Sequence, residues 1–515
     1  MNPRSDRSQP RFSHLFLFSG GTFHSHLANW LICRKIGKME LPESIPFSSV
    51  DEKLPVSQGD FRDFAEDPIA EMRKLYAEHG SLALLQDGFK KVAFAFGPVW
   101  NQPVLSNAQD YHSMFFAIRG SRNSSLRRLT SGLLSMNEDE HREHRRMLMG
   151  PFARKSFEKY FEGIDFLTAE MLNSWKVGDE KDILAEMTQF MLRVTSGMLF
   201  GLDNPEFAYK LGHMLHEWVQ MNHEIGTGAF VADSKYTERY QDLLTLSDEL
   251  EVQLKRLLEM KRQNPGDGKD VLSILMKAYQ EEDAVDDAKL MGHIALLFAA
   301  SHLTTAHTFT WTFLLLSQHP SVMQELHTEL QAGVLSNPLN PNSTETSLDR
   351  ILKESMRVLP ASAYSQRICA RDMTLGPLQL TMGTPVVFSQ YMTHHMSALY
   401  PNPDQFQPER WLDIKPSPYA YLPFGTGPRM CIGGPLAMVI LKMVIPKILS
   451  RFKLSTVPNS TINGRVISTM LTPTSTVPLL LEEQDGNFTS APIQGSIHNL
   501  VHLPSAGKDA IRHAA

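Results

Sequence analysis

The 515-residue chain contains only three cysteines, and one of them, Cys431, lies in a segment rich in glycine and arginine. The segment reads YLPFGTGPRMCIGGPLAM and includes Phe424, Gly425 and Arg429. Glycines let a backbone turn tightly and approach a flat ligand closely. A nearby arginine and a helix N-terminus both favour the thiolate, which is the metal-binding form of cysteine. A lone cysteine is more often a small buried apolar residue, but that role does not explain why these special residues converge here.

A second place for chemistry is a polar patch inside a long apolar run. The run IALLFAASHLTTAHTFTWTFLLL is apolar on nearly all sides, which predicts a buried helix over 286–319. Ser301, His302 and Thr304 interrupt the run halfway along, so it is too polar for a membrane span. Hydroxyls in such a helix often bond back to carbonyls one turn earlier. A structural role and a chemical role therefore both stay open for this patch.

The cysteine segment resembles the haem-binding loop of the cytochrome P450 superfamily. That loop reads F-G-x-G-x-R-x-C-x-G, and every fixed position is met from Phe424 to Gly433. The resemblance implies that Cys431 is the axial thiolate ligand of the iron of haem b, a ligation that favours O–O cleavage in this family. It also implies that Phe424 and Gly425 belong to the cofactor-binding loop.

The segment LDRILKESMRVLP places Glu354 and Arg357 three residues apart, so they share a helix face. Such pairs are usually solvated surface pairs. The family, however, completes an E-x-x-R pair with an arginine from a later loop, and NPDQFQPERW supplies it as Arg410. Buried charges must be paired. The resemblance thus implies a structural Glu–Arg–Arg cluster that holds the loop preceding the haem ligand.

Several cations stand in the order in which the family places the partners of the haem propionates. Two of them lie four residues apart in EHREHRRMLMGPF, on one predicted helix face. Cations that face two carboxylates are the expected chemistry. The cofactor-binding candidates implied by the resemblance are His141, Arg145, Arg367, His394 and Arg429.

The oxygen-activation motif of the family, often A-G-x-[DE]-T-[TS], falls on the segment ASHLTT. The resemblance implies that Ala300 borders the haem and that Thr304 helps to deliver protons to bound oxygen. The chain differs from this motif at Leu303, where the family usually has an aspartate or glutamate. Ser301 and His307 lie three residues on either side of Thr304, on its face of the helix. We hypothesise that one of them, with water, replaces the missing acid, and Ser301 is the preferred candidate.

The resemblance implies a monooxygenase that inserts one atom of O2 into a small apolar organic substrate. Met114 and the two phenylalanines that follow it favour a lipid- or terpenoid-like substrate, although they equally fit core packing. A peroxide-driven oxygenase or an isomerase is an alternative that Leu303 favours and Thr304 opposes, and a non-enzymatic haem sensor is another. The expected substrate-lining residues are Phe298, Ala299, His302, Ala363 and Met470.

No flavin or iron–sulfur module is recognisable, so electrons are expected from an external ferredoxin or flavodoxin. Arg142, Arg146, Arg154 and Lys155 form a basic group around one predicted helix. An acidic electron carrier fits such a surface, but a solvated basic face fits the same residues.

Composition agrees with a soluble globular protein, with 42% hydrophobic and 21% charged residues. The net charge of -6 is small for this length, so nucleic acid is not an expected partner. Three cysteines make no disulfide framework, which favours a reducing compartment and a cytoplasmic location. The apolar stretch from about His14 to Cys33 matches neither a spanning helix nor a signal peptide. We therefore expect a poorly ordered extension and no firm membrane anchor, with weak contact to a membrane surface as the alternative.

Long helical patterns alternate with short strand-like runs, which predicts a mainly α protein with minor β, and the resemblance implies the cytochrome P450 fold, a helical bundle around the haem with small β-sheets. The expected organisation is a poorly ordered extension over 1–50, a haem-thiolate domain over 51–482 and a loose tail over 483–515. Besides 286–319, helices are predicted at 137–150, 155–175, 182–201, 205–220, 236–263, 270–281, 320–333, 346–358 and 434–451, and strands at 82–86, 91–96, 374–380, 384–388 and 475–482.

Overall fold

A computed structural model describes residues 54–114, 118–227, 239–281, 286–334 and 345–504, without the side chains of Thr227 and Glu281. Over these residues the chain is mainly helical, with small β-sheets. The predicted fold class is therefore confirmed. The expected extension over 1–50 lies outside the described residues.

The helices of the described residues include all ten that the sequence pattern predicts, and α8 continues seven residues further than expected. The pattern misses five helices, α1 to α4 and α14. Four of these five have nine residues or fewer, and Pro103 lies in the interior of α3. The helices are α1 Phe61–Glu66, α2 Pro68–His79, α3 Pro98–Ser106, α4 Ser125–Leu129, α5 Glu138–Leu148, α6 Glu158–Ser174, α7 Ile183–Phe200, α8 Pro205–Thr227, α9 Tyr240–Gln263, α10 Val271–Glu281, α11 Asp287–Gln318, α12 Pro320–Gln331, α13 Ser347–Val358, α14 Gln390–His394 and α15 Gly434–Arg451.

The strands are β1 Val56–Gln58, β2 Leu82–Asp87, β3 Lys90–Ala95, β4 Tyr111–His112, β5 Glu180–Asp182, β6 Ser365–Cys369, β7 Met373–Leu375, β8 Leu378–Leu380, β9 Pro385–Phe388, β10 Phe452–Thr456, β11 Gly464–Ile467, β12 Met470–Pro473 and β13 Pro478–Glu483. The largest sheet has the order β1-β2-β3-β9-β6-β4, and β11 pairs with β12 as a hairpin. The single strand expected over 374–380 is instead the hairpin β7–β8, because Gly376 turns the chain with a φ of +57°.

Helix α11 runs through the centre of the protein. The side chain of Asp286 caps its N-terminus by accepting from the backbone N–H groups of Ala288 and Lys289. From Leu290 to Gln318 every residue is buried except Ala300, Ser301 and Thr304. Each fully buried leucine or phenylalanine contributes about 1.5–3 kcal/mol to the free energy of unfolding. Packing therefore fixes the helix, and one turn of it keeps accessible surface.

The chain after Glu483 does not form the expected loose tail over residues 484–504. Its backbone is tied to distant elements, since Arg73 donates to the carbonyl of Asn499 at 3.0 Å and Tyr391 donates to that of Leu500 at 2.8 Å. The segment is mostly polar, so the sequence pattern did not predict that its few apolar side chains are buried against distant elements. The buried ones are Ile493, Ile497, Leu500, Val501 and Leu503.

Across the described ranges, no helix combines the length and the apolar character that crossing a bilayer requires.

A buried charge cluster joins α13 to the long loop before the cysteine. The side chain of Glu354 is 0% exposed. It accepts two hydrogen bonds from Arg357, at 2.9 and 2.8 Å, and one from Arg410 at 2.8 Å. The indole of Trp411 and the backbone N–H of Gln407 add bonds of 2.9 and 3.0 Å. The predicted Glu–Arg–Arg group thus exists as a contact, and two further donors complete it.

Replacing Glu354 by glutamine should strongly destabilise the fold. The change leaves Arg357 and Arg410 buried without their counter-charge, a loss that costs about 3–5 kcal/mol. Chemical denaturation of the full chain measures it. The control is Glu170→Gln, which removes an exposed ion pair with Arg193 (Glu170 side chain 43% exposed) and should cost less than about 1 kcal/mol. Equal losses in the two variants would contradict the structural role of the cluster.

Candidate functional site

The loop before α15 is shaped by glycines. The backbone N–H of Cys431 donates to the carbonyl of Phe424 at 2.8 Å, which closes the loop. Gly425 and Gly427 have φ values of +64° and +73°, a region that side chains disfavour. A Cβ on Gly427 would also lie 2.2 Å from the carbonyl oxygen of Leu105. The local sequence therefore permits one tight loop that delivers the cysteine to the start of the helix.

The Cys431 thiol is accessible, whereas the other described cysteine, Cys369, is buried. Burial of the loop raises the pKa of Cys431, and the N–H groups of Gly433 and Gly434 and the charge of Arg145 act in the opposite direction. A thiol can be accessible and still poorly hydrated when its free surface lies within the protein. Coordination to a metal cation deprotonates such a thiol outright, so the position suits a metal ligand.

Four cationic candidates converge near this loop. Burial, together with the charges of Arg367 and Arg145, lowers the pKa of Arg429 to about 9. Burial lowers that of Arg367 to about 10. The pKa of His141 falls to about 4, because of burial and then the charges of Arg429, Arg145 and Arg367. Because the charges of Arg145 and Arg367 act on both Arg429 and His141, the four groups lie close together in one positive region.

The hydrogen bonds of this region leave room for an anionic ligand. Arg429 donates to the backbone carbonyl of Met136 and, at 2.6 Å, to the side chain of Asn137, but its buried Nε has no hydrogen-bond partner. Arg145 donates to the carbonyl of Met430 at 2.7 Å. In the described part of the chain, none of the three arginines pairs with a carboxylate. Since buried charges need counter-charges, the two propionates of a haem fit this region.

The accessible turn of α11 carries hydroxyl groups whose protons are engaged. Ser301 Oγ donates to the carbonyl of Leu297 at 2.7 Å, and Thr304 Oγ1 donates to that of Ala300 at 2.8 Å. Their oxygen lone pairs stay available to accept hydrogen bonds. Leu303 is buried in the core and does not belong to the accessible turn. Leu303, at the position where the motif usually has an acid, therefore has no proton to donate and no accessible surface.

The cytochrome P450 family model matches residues 58–480. The chain belongs to the cytochrome P450 family. It is an oxidoreductase of the P450 monooxygenase class, and the family works with haem-thiolate iron.

The relatives of this P450 include two proteins of Streptomyces melanosporofaciens. Cyclooctat-9-en-7-ol 5-monooxygenase is 27% identical over 75% of this chain and 84% of its own length. Cyclooctatin synthase is 28% identical over 75% of this chain and 86% of its own length.

Solved P450 structures share the fold. The retinoic-acid-bound cyanobacterial CYP120A1 superimposes with a TM-score of 0.68 at 20% identity, over 84% of this chain and 100% of that one. CYP175A1 of Thermus thermophilus gives 0.62 at 22% identity, over 83% and 100%.

One predicted propionate ligand of this P450 has a different role. His394 is fully buried, its Nδ1 donates to the carbonyl of Arg357 at 3.2 Å, and its Nε2 accepts from the N–H of Leu422 at 2.8 Å. Both ring nitrogens are thus occupied by backbone groups. His394 links α13 to the segment just before Phe424, and it is a structural residue.

The expected substrate lining also needs correction. Phe298, His302 and Ala363 are 0% exposed, so they present no surface to a ligand in this structure, and Ala299 and Met470 are buried as well. The ring of His302 instead contacts His216 of α8 at 2.9 Å. Residues 115–117, which contain the two phenylalanines used to argue for an apolar substrate, lie outside the described residues.

The sequence pattern missed Asn137, which contacts the cationic region, and it missed the contact between His216 and His302. Asn137 accepts from Arg429 and, at 2.7 Å, from the N–H of Ser113. A polar residue before the acidic run EDE is a helix-start signal, so its position, although not its partner, was predictable. His216 lies 86 residues from His302 in the chain, and no sequence pattern predicts their contact.

Replacing Cys431 by serine should abolish the spectroscopic signature of thiolate ligation. Serine offers an oxygen in place of the sulfur that tunes the iron in this family. The reduced, carbon-monoxide-bound absorption spectrum of the purified protein is the measurement. Cys369→Ala is the control, because Cys369 is buried in the sheet and should leave the spectrum unchanged. A thiolate spectrum in Cys431→Ser would exclude the assignment.

Proposed function

We propose that this P450 holds haem b through Cys431 and inserts one oxygen atom from O2 into a small apolar substrate. The observation that carries the proposal is the accessible turn, Ala300, Ser301 and Thr304, in the middle of a helix whose other residues from Leu290 to Gln318 are buried. An accessible thiol and a buried positive region without described carboxylate partners support it. The Cys431→Ser spectrum described above is its direct test.

Bound haem would supply the oxygen activation, and the residues of this chain would supply position and charge. Cys431 is the proposed iron ligand, with Phe424 and Gly425 forming its loop. His141, Arg145, Arg367 and Arg429 would face the propionates. Their charge-assisted hydrogen bonds are roughly twice as strong as neutral ones.

Ser301 and Thr304 are the proposed catalytic residues. Because both hydroxyls already donate to backbone carbonyls, each can accept a hydrogen bond from water or ligand without losing its orientation. Ser301 is favoured over His307 as the substitute for the missing acid, because His307 is buried and burial lowers its pKa to about 4. A neutral, enclosed imidazole is a poor source of protons near neutral pH.

The proposed substrate is apolar and lipid- or terpenoid-like. A relative is named as a cyclooctat-9-en-7-ol 5-monooxygenase. Ala300 is the apolar residue of the accessible turn, and small-molecule sites are lined mostly by apolar side chains with a few polar groups.

The proposed electron donor is a separate ferredoxin or flavodoxin. The basic residues Arg142, Arg146, Arg154 and Lys155 are exposed on or beside α5, the helix that also carries Arg145. Because Arg145 contacts the backbone next to Cys431, this surface lies close to the thiolate loop. An acidic carrier that docks here would be steered by opposite charge. A cytoplasmic location is proposed with it, since the described cysteines are free.

A peroxide-driven oxygenase is the second candidate, and the buried Leu303 favours it. Without an acid at this position, reducing equivalents and protons supplied together as hydrogen peroxide would bypass the difficult delivery step. Turnover with peroxide alone, at a rate equal to or above that with a reductase, would select this function.

Replacing Arg429 or Arg367 by leucine should accelerate haem loss. Each change removes a charge-assisted bond worth about 1.5–3 kcal/mol, which corresponds to about ten- to hundredfold faster loss. Transfer of haem to a scavenging apoprotein measures the rate. Arg142→Gln is the control, because its side chain is 75% exposed and pairs with Asp139. An unchanged rate in both leucine variants would contradict the propionate assignment.

Replacing Ser301 by alanine should raise, by several fold, the fraction of electrons that is lost as hydrogen peroxide. The variant lacks the hydroxyl that we assign to proton delivery, so reduced oxygen escapes before the O–O bond breaks. The assay compares peroxide released with electron pairs consumed, with a compound that shifts the haem spin state. His307→Ala is the comparison, and it should behave like the parent. Unchanged peroxide release in both variants would exclude either residue as the substitute acid.

A further inference from the structure

A cavity of about 500 Å³ lies between α2, α14, the loop after α14 and the chain beyond β13. Small-molecule sites have volumes of roughly 300–1,000 Å³, so the cavity is large enough for an organic ligand. Residues 498–502 line one side of it, and they lie beyond residue 480, where the match to the family model ends. None of the lining residues belongs to the candidate haem site. The other lining residues are Arg73, Tyr76, Met392, His395, Met396 and Asp404.

His395 contributes an unpaired hydrogen-bond acceptor to the wall of this cavity. Its Nδ1 lies 2.8 Å from the carbonyl of Tyr391, which can only accept, so Nδ1 carries the proton of the neutral ring. Burial, and then the charge of Arg357, hold the pKa of His395 well below its usual value, so the ring stays neutral. The side chain is only 6% exposed, and its Nε2 is buried without a hydrogen-bond partner. A donor that reaches Nε2 would therefore remove an unfavourable feature of the free protein.

Asp404 places a carboxylate opposite this acceptor. Its Oδ1 lies 3.9 Å from Nε2 of His395, and its side chain is 57% exposed. Two acceptors at this separation repel each other, but one nitrogen with two or more protons can lie about 2.9 Å from both. In the part of the chain that the structure describes, no lysine or arginine forms an ion pair with Asp404. The two acceptors thus favour a donor that is also a cation.

The arginine of the cavity has other partners. Arg73 donates to the carbonyl of Asn499 at 3.0 Å and to the hydroxyl of Tyr391 at 2.8 Å. Its guanidinium also lies 5.4 Å from the centre of the Tyr391 ring. These contacts fix Arg73 in the wall, so it does not neutralise Asp404.

The rest of the wall suits an apolar body. Thioether side chains adapt to the shape of a ligand and make favourable contacts with aromatic rings, and an aromatic ring can face a cation. The cavity therefore combines one end that favours a cation with a larger apolar surface. The residues of this surface are Tyr76, Met392, Met396, Leu500 and Val501.

The two acceptors lie beside the backbone that Arg357 holds. Arg357 donates to the carbonyl directly before His395 and to the carbonyls on both sides of Asp404, at 2.7–2.8 Å. A ligand that links His395 to Asp404 would join the same two segments a second time. One of these segments leads to the haem-binding loop, so occupation of the cavity should stabilise that loop.

We propose that this cavity binds a primary organic ammonium ion with an apolar body, and that the bound cation stabilises the loop that leads to Cys431. The ammonium group donates to Nε2 of His395 and to the carboxylate of Asp404, while the body of the ligand packs on the apolar surface. The effect on the loop rests on the proposed haem site, which the spectrum of the carbon-monoxide complex tests separately. Binding to the cavity does not depend on the haem assignment.

Three probes separate the charge of the ligand from its protons. Phenethylammonium has both a charge and N–H donors, phenethyl alcohol has a donor without charge, and phenethyltrimethylammonium has a charge without a donor. Each is titrated calorimetrically, at neutral pH, into the reduced, carbon-monoxide-bound holoprotein, in which the open position of the iron is occupied. Phenethylammonium should bind at least about tenfold more tightly than either of the others, because each of them lacks the charge-assisted hydrogen bonds. Equal affinities, or no binding of phenethylammonium, overturn the proposal.

Variants locate the binding in the cavity. Asp404→Asn removes the negative charge and offers its own N–H group to His395, so it should weaken binding of phenethylammonium by at least about tenfold. His395→Phe keeps a ring stacked on Tyr391 but removes the acceptor, and it should weaken binding several fold. Asp413→Asn, which changes an exposed carboxylate further along the chain, is the matched control and should bind like the parent. Unchanged affinity in Asp404→Asn overturns the proposal.

Transfer of haem to a scavenging apoprotein tests the effect on the loop. Saturating phenethylammonium should slow haem loss from the parent several fold and leave that from Asp404→Asn unchanged, because a ligand stabilises the state that it binds. Direct binding of the amine to the iron would act equally on both proteins. A rate that the probe does not change, or changes equally in both, overturns the stabilisation of the loop. A protein that lacks the thiolate spectrum fails the haem assignment instead, and the calorimetry still tests the cavity.

Discussion

The carboxylate of Glu354 lies in the interior and accepts five hydrogen bonds, two of them from Arg357 on its own helix. Arg357 in turn donates to the backbone carbonyls of His394, Pro403 and Gln405 at 2.7–2.8 Å. The loop that leads to the cysteine is therefore fixed by hydrogen bonds from a buried, charged arginine. Removing any partner leaves a buried charge uncompensated. The precise delivery of Cys431 depends on this arrangement, and the His394 bridge to Leu422 extends it to the start of the haem-binding loop.

The candidate cofactor region has the opposite electrostatic character. Around Glu354 the charges balance within the chain, whereas Arg145 and Arg367 both repel Arg429 without a described carboxylate between them. A folded protein tolerates such a region when a ligand supplies the missing charge. Binding of the anionic ligand and stability of the protein are then linked, because the ligand removes repulsion that the free protein carries.

Helix α11 shows how one element serves structure and chemistry. Its hydroxyls donate to carbonyls one turn back, which satisfies them in an apolar setting. The same bonds orient Ser301 and Thr304 where the helix keeps accessible surface. His302 of the same helix contacts His216 of α8, whereas Phe298 and Phe309 pack against aromatic rings of α7.

The sequence by itself determined the long helices and, through the family resemblance, the class of chemistry. Long apolar periodicity predicted α11, and the glycine spacing around Cys431 predicted the loop, because both depend on neighbours along the chain. The tertiary structure alone decided which side chains meet. It moved His394 from the propionates to the Leu422 backbone, removed His302 from the substrate lining and packed residues 484–504 onto the core. It also made β6 an inner strand, since Arg367 pairs with Val386 through long-range register that local pattern does not encode. Contacts between residues far apart in the chain depend on how whole elements pack, and no short-range spacing carries that information.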